Sequence, residues 1–161
     1  MTGLKPIAVA SLQEKLGYEF ANADLLVRAL THRSAGKAHN ERLEFLGDAI
    51  IGFVVAEAFF HRFPEFDEGT LSRMRASVVS GEALSRVARE LGLAEHIILG
   101  ESERKSGGRH RQSILAGTLE ALAGAVVLDD GTERAGTIVS SWLLSSIDAV
   151  SPNDVVDAKT Q

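Results

Sequence analysis

Asn40-Glu41-Arg42-Leu43-Glu44-Phe45-Leu46-Gly47-Asp48 is the stretch that decides how this chain is read. It places three carboxylates at the head of an apolar run that continues through Ile50, Phe53 and Val54. At about 100° per residue on a helix, Glu41, Glu44 and Asp48 fall within roughly 60° of one another. Leu43, Leu46, Ile50, Phe53 and Val54 fall opposite and are expected to form the buried stripe. Three acids on one face repel each other unless a cation sits among them, and a hard divalent ion is the natural occupant. Phe45 lies beside the acids and off the apolar stripe, where a large aromatic wants a partner.

Outward from this segment, helical period dominates and strand alternation is scarce. Ser11 to Leu16 continues an amphipathic N-terminal helix, and Asn22 is a plausible N-cap for a short helix carrying Leu25, Leu26, Ala29 and Leu30. The acid-bearing helix is expected to run from Glu41 to Phe63, where Pro64 stops it. Phe66 to Thr70 reads as a turn feeding one long helix with Leu71, Met74, Val78, Leu84 and Val87, ended near Gly92. Residues 93–112 read as a loop-rich connection with a short apolar element at Ile97-Ile98-Leu99. A helix from Ser113 to Leu128, a break at Gly131 and a last helix from Glu133 to Ile147 complete an all-α chain.

The helix from Ser113 carries a fourth notable acid. Leu115, Leu119, Leu122 and Val126 form its apolar side, while Glu120 shares the other side with Ala116, Gly117, Ala123 and Gly124. A glycine in a helix interior costs about 1 kcal/mol relative to alanine, so two of them call for a reason. Small residues let a second helix approach closely. Glu120 is then either a surface acid beside a tight helix contact or the completion of a carboxylate cluster with the first acid helix.

Composition bounds the rest. The chain has 161 residues, 45% of them hydrophobic, enough for one domain over residues 1–150, with a polar tail over 151–161. It has no cysteine, which removes disulfides and thiolate metal sites, and the five scattered histidines offer no zinc spacing. Neither a signal peptide nor an apolar run of roughly 18 residues is found, so a cytoplasmic address without a membrane is expected. The net charge of −5 argues against a nucleic-acid binder by itself. Arg104, Lys105, Arg109, His110 and Arg111 nevertheless cluster around Gly107-Gly108, and Arg73 with Arg75 makes a second group. Each is either a solvated surface or a local contact patch.

The segment 40–48 resembles the signature of bacterial ribonuclease III. Leu-Thr-His-Arg-Ser (30–34), Asp-Glu-Gly (67–69) with Ser-Arg-Met-Arg (72–75), Lys-Ser-Gly-Gly (105–108) and Ser-Ile-Leu-Ala (113–116) extend the resemblance over roughly residues 5–160. The tail resembles the linker toward that family's double-stranded RNA-binding domain, which is absent here. The resemblance implies a homodimeric, all-α endonuclease domain that cuts double-stranded RNA with Mg²⁺, or Mn²⁺ in its place, leaving 5′-phosphate and 3′-hydroxyl ends. It assigns Glu44 and Glu120 as metal ligands, Asp48 and Glu120 as catalytic residues, and Glu41 and Glu68 as outer acids. Phe45 corresponds to an aromatic knob that enters the other subunit. Arg104, Lys105, Arg109 and Arg111 become contacts for RNA.

One family carboxylate is missing: Gly117 stands where the pattern has Asp, three residues before Glu120. Asp and Glu at that spacing share a helix face, so the position would normally supply a metal ligand. Asp129 and Asp130 are no replacement, being on the order of 18 Å further along a continuous helix. Impaired cleavage is therefore expected. The alternatives are a non-catalytic dimeric scaffold for duplex RNA and a helical structural protein whose acids are a solvated face.

Overall fold

The structure is a computed structural model that describes Lys5–Ser151 and Asn153. The tail beyond Ser151 otherwise lies outside the described residues. Among the described residues the chain forms seven α-helices: α1 (Pro6–Leu16), α2 (Ala23–Leu30), α3 (Glu41–Arg62), α4 (Glu68–Val79), α5 (Gly81–Glu90), α6 (Glu101–Lys105) and α7 (Gln112–Asp148). The Asn22 side chain accepts from the Asp24 N–H, as expected of an N-cap. α3 gives out at Phe63 before Pro64. Among the described residues the only strand-like pairing is a single parallel bridge, Thr31 to Ile98, which is what the apolar triplet 97–99 becomes.

Two expectations for the middle of the chain are corrected. Glu68, Gly69 and Thr70 do not form a turn; they are the first turn of α4, started by Asp67, whose side chain accepts from the Thr70 N–H at 2.9 Å. The single long helix is two helices. Ser80 adopts extended angles (φ −62°, ψ 154°) and its hydroxyl accepts from the Ala83 N–H at 3.1 Å, ending α4 and starting α5 in one residue. Side-chain capping competes locally with helix continuation, and periodicity alone does not register it. The region 93–112 is also more ordered than a loop, holding α6 and short 3₁₀ turns at Leu93–Glu95 and Gly108–His110.

α7 is the central element. Its Leu115, Leu119, Leu122 and Val126 are fully buried, but so are Ala121, Ala123 and Ala125, so the helix is enclosed on both sides. It breaks at Gly131, whose φ of 87° lies in the region glycine tolerates, where a helix was expected to stop and restart. The Asp129 side chain just before the break accepts hydrogen bonds from the Tyr18 hydroxyl and from the Ala21 and Asn22 N–H groups, tying the α1–α2 connection to α7. The Trp142 Nε1–H donates to the Leu16 carbonyl and fixes the end of α1.

α3 packs against both halves of α7, with Glu44 beside Gly117 and an Arg62–Asp148 ion pair of 2.6 Å between their C-terminal ends. They touch backbone to backbone. A β-carbon on Gly47 would overlap the Glu120 carbonyl, and one on Gly124 would overlap the Leu43 carbonyl. This contact rotates α3 away from the expected stripe. Leu43, Gly47, Ile51, Val54, Val55 and Phe59 are its buried residues, while Phe53 is 60% exposed and Leu46 and Ile50 are half-buried. The face chosen for burial is the one with glycine in it, and the bulkier apolar face is left outside.

Gly47→Ala or Gly124→Ala is therefore expected to destabilise the fold by on the order of 3 kcal/mol, because the clash is with backbone that cannot swing aside. Gly52→Ala, which meets nothing within 4 Å, should be neutral or stabilising by up to about 1 kcal/mol. Urea unfolding midpoints of the three variants check the ranking.

Candidate active site

The head of α3 is anchored before any acid appears. Asn40 is 4% exposed; its N–H donates to the Thr31 carbonyl and its side-chain amide to the Ala29 carbonyl, both at 2.9 Å. The end of α2 thus fixes the rotation of α3. One turn on, the glycine crossing brings Glu44 and Asp48 of α3 against Glu120 of α7. Glu44 and Glu120 are half-buried, and Asp48 and Glu41 are exposed.

These acids sense one another. Burial pushes the Glu120 carboxyl up to about 8, reinforced by a hydrogen bond with Asp48 and by the charges of Asp48 and Glu44. Glu120 therefore holds its proton more tightly than an ordinary carboxyl does. Burial also raises Glu44, with the charges of Glu41 and Asp48 adding to the shift and Arg33 opposing it. Arg33 lies 3.7 Å from Glu41 with both side chains largely in solvent, so it compensates little. Among the described residues, no three His, Cys, Asp or Glu side chains are arranged to hold a metal ion.

A polar cavity of about 240 Å³ opens beside the cluster. It is walled by His32, Glu41, Glu44, Ser113 and Gly117, among others. A β-carbon on Gly117 would lie 2.9 Å from the Glu44 Oε2 and 3.1 Å from its Cδ, so the Glu44 carboxylate leans over the glycine. His32 and Asn40 were not singled out as site residues by sequence reasoning, although both lie within quoted motifs. Their roles come from the packing of segment 31–40, which helical period does not report.

Other expected site residues lie elsewhere. Glu68 is exposed at the start of α4 and lines a groove with Phe60 and Arg75, outside the acid cluster. The basic segment is not a free loop: Lys105 pairs with Glu101 at 3.2 Å, and Arg111 pairs with Glu103 at 3.3 Å. Arg104 is exposed and Arg109 half-buried. Phe45 stands 83% exposed over a second, apolar cavity of about 630 Å³ that it lines with Leu25 and Leu128. Among the described residues, no helix is long and apolar enough to cross a membrane.

The sequence and the all-helical fold both match one family of nucleases. The Ribonuclease-III-like family model matches residues 22–147, and the chain belongs to the ribonuclease III family. It is 53% identical over 151 residues to Ribonuclease 3 of Photorhabdus laumondii subsp. laumondii, covering 94% of this chain and 67% of that protein. The nuclease domain of ribonuclease III from Campylobacter jejuni superposes with a TM-score of 0.85 at 40% identity, over 92% of this chain and all of that one. A second structure of that domain, described for flexibility in a region involved in dimer formation, gives 0.83 at 41% identity, covering 85% of this chain and 96% of that one.

The pH dependence of stability follows from Glu120. Between its ordinary value of 4.5 and about 8, the folded state holds a proton that the unfolded state has lost, so unfolding releases that proton and the folded state is favoured by acid. Stability from this group is present in full below about pH 4.5 and is lost as pH rises through about 8. Urea midpoints measured across that window should fall with pH in the parent, and Glu120→Gln should flatten the decline.

Proposed function

We propose that the chain is the catalytic domain of an endoribonuclease that hydrolyses phosphodiesters in double-stranded RNA, acts as a homodimer, and is slowed by Gly117. The observation that carries this reading is the convergence of Glu44, Asp48 and Glu120 with an acidity displaced to about 8. A carboxylate pair that shares a proton in a half-buried cleft is an anionic site short of a cation.

The donor set fits a hard divalent ion: all its groups are carboxylates, and Arg33 is a weak counter-charge. Glu44 and Glu120 would hold Mg²⁺, with Asp48 supporting Glu120 and Glu41 as an outer acid; Mn²⁺ has the same preference for oxygen. When bound, Mg²⁺ lowers the pKa of water and neutralises charge on the phosphate. Glu120 must give up its proton for this, and Asp48 is the group placed to take or pass it. Water adds to phosphorus as the P–O3′ bond breaks, giving a 5′-phosphate and a 3′-hydroxyl. Duplex RNA would be held by backbone and 2′-hydroxyl contacts, with Arg104, Lys105, Arg109 and Arg111 as contributors. The cytoplasm is the address that goes with this activity.

Gly117 removes a ligand that the family pattern supplies, and Glu44 rests in the space that ligand would enter. The lost transition-state stabilisation amounts to several kcal/mol, and about 1.4 kcal/mol is tenfold in rate. Single-turnover cleavage of a duplex RNA hairpin in Mg²⁺ should rise roughly a thousandfold in Gly117→Asp. Equal rates would mean that no ligand is missing.

The assembly follows from what α3 leaves outside. Phe45 (83%), Phe53 (60%) and Leu128 (59%) are exposed, and Leu46, Ile50 and Phe53 line an open groove of about 690 Å³ with Val127 and Gly136 of α7. Apolar surface of this extent on two adjoining helices favours a partner, here a second copy that receives Phe45. Sedimentation at micromolar protein should give a dimer, and Phe45→Ala should shift it toward monomer without loss of helix content.

A further inference from the structure

His32, on the wall of the polar cavity, is held by a short chain of hydrogen bonds. The Gly100 N–H donates to the Ser34 Oγ at 2.9 Å. That hydroxyl lies 2.8 Å from the His32 Nδ1, and the Ser34 N–H donates to the same nitrogen at 3.1 Å. A nitrogen that receives a backbone N–H carries a lone pair, so Nδ1 is unprotonated and the Ser34 hydroxyl is its second donor. The ring proton must then sit on Nε2.

The segment is held rigidly enough to make that choice matter. The His32 N–H donates to the Ile98 carbonyl at 2.9 Å, and the Ile98 N–H to the Leu30 carbonyl at 2.8 Å. A β-carbon on Gly100 would overlap the Ser34 carbonyl, so 98–100 and 31–34 are in backbone contact. Nε2 has no protein partner, yet no buried side-chain nitrogen or oxygen lacks one among the described residues, so Nε2 faces solvent. The residue itself lines the cavity shared by Glu41, Glu44 and Gly117. Burial also keeps the imidazole from charging, with Arg33 and His39 adding to that effect against Glu103 and Glu41.

We infer that His32, fixed as its neutral Nε2–H tautomer by Ser34 and Gly100, is a substrate-positioning residue that donates to a phosphodiester oxygen of the RNA in this cavity. A neutral donor suits the place. A cationic side chain would pair with Glu41 or Glu44 and compete with the cation those acids require, whereas an N–H of fixed direction orients a phosphate without cancelling their charge. This rests on the reading of the chain as a duplex-RNA nuclease.

The test uses the full chain carrying Gly117→Asp, with His32→Asn and His32→Gln added singly. Asparagine keeps an acceptor where Nδ1 accepts from Ser34 but does not reach the Nε2 position; glutamine places an N–H near it. Single-turnover cleavage of the hairpin should fall about tenfold to a hundredfold in His32→Asn, the span of one hydrogen bond to a charged group, and should be largely retained in His32→Gln. Nitrogen-15 NMR of the histidine side chains in the free protein should show the His32 proton on Nε2. A proton on Nδ1, or cleavage by His32→Asn equal to its parent, overturns the inference. If the parent does not cut, the nuclease reading fails separately. Hairpin affinity then decides: weakening in His32→Asn but not His32→Gln supports the phosphate contact, and equal affinities overturn it.

Discussion

The backbone contact between α3 and α7 is the constraint on which the rest depends. Two helices whose glycines meet can approach closer than the 8–10 Å usual for side-chain packing. Gly47 lies against the Glu120 carbonyl and Gly124 against the Leu43 carbonyl. The acids are neighbours of these contacts in sequence: Asp48 follows Gly47, Glu44 lies one turn before it, and Glu120 is itself the residue touched. No separate device is needed to bring carboxylates of two helices together. The same closeness half-buries Glu44 and Glu120, and that burial is the leading cause of their shifted acidity. Packing and electrostatics share one origin here.

A cluster assembled this way is costly to the fold. Burial and the neighbouring charges of Asp48 and Glu44 make the ionised form of Glu120 the expensive one, which is why its acidity is displaced upward. Any ligand drawing on the Glu120 carboxylate would have to displace its proton, a deprotonation cost near neutral pH. Gly117 bears on the same balance. With no side chain beneath it, the Glu44 carboxylate settles over the glycine, reducing the crowding of anions and also the number of donors.

Much of this was legible in the sequence, and the failures have physical reasons. The acid face of α3, the small-residue face of α7, the cap at Asn22 and the break at Gly131 each follow from local spacing or local conformational demand. The buried stripe of α3 did not. A helical wheel reports where apolar side chains lie, and Leu46, Ile50 and Phe53 form the stronger apolar face; the core nevertheless takes the face containing Gly47, because approach distance outweighs bulk there. Ser80 was passed over because one hydroxyl overrides a periodicity that continues on both sides. Asn40 and His32 escaped for another reason: their partners, Ala29, Thr31 and Gly100, are set by the folding of non-helical segments onto one another. The basic segment was legible as composition only, since its pairing with Glu101 and Glu103 depends on α6 being a helix.

α3 thus presents three faces with separate duties. The glycine face meets α7, the acid face opens on the cavity beside Gly117, and the aromatic face carrying Phe53 is turned to solvent. A helix apolar on two sides cannot satisfy both inside one small domain, because a single neighbouring layer covers only one. Burying the aromatic face internally would rotate Glu44 and Asp48 away from Glu120 and dissolve the cluster. Leaving it outside preserves the chemistry and creates a surface that association can cover. On this view the proposed dimer is the complement of the glycine crossing: the domain can hold its carboxylates together because the bulk of α3 is reserved for another surface.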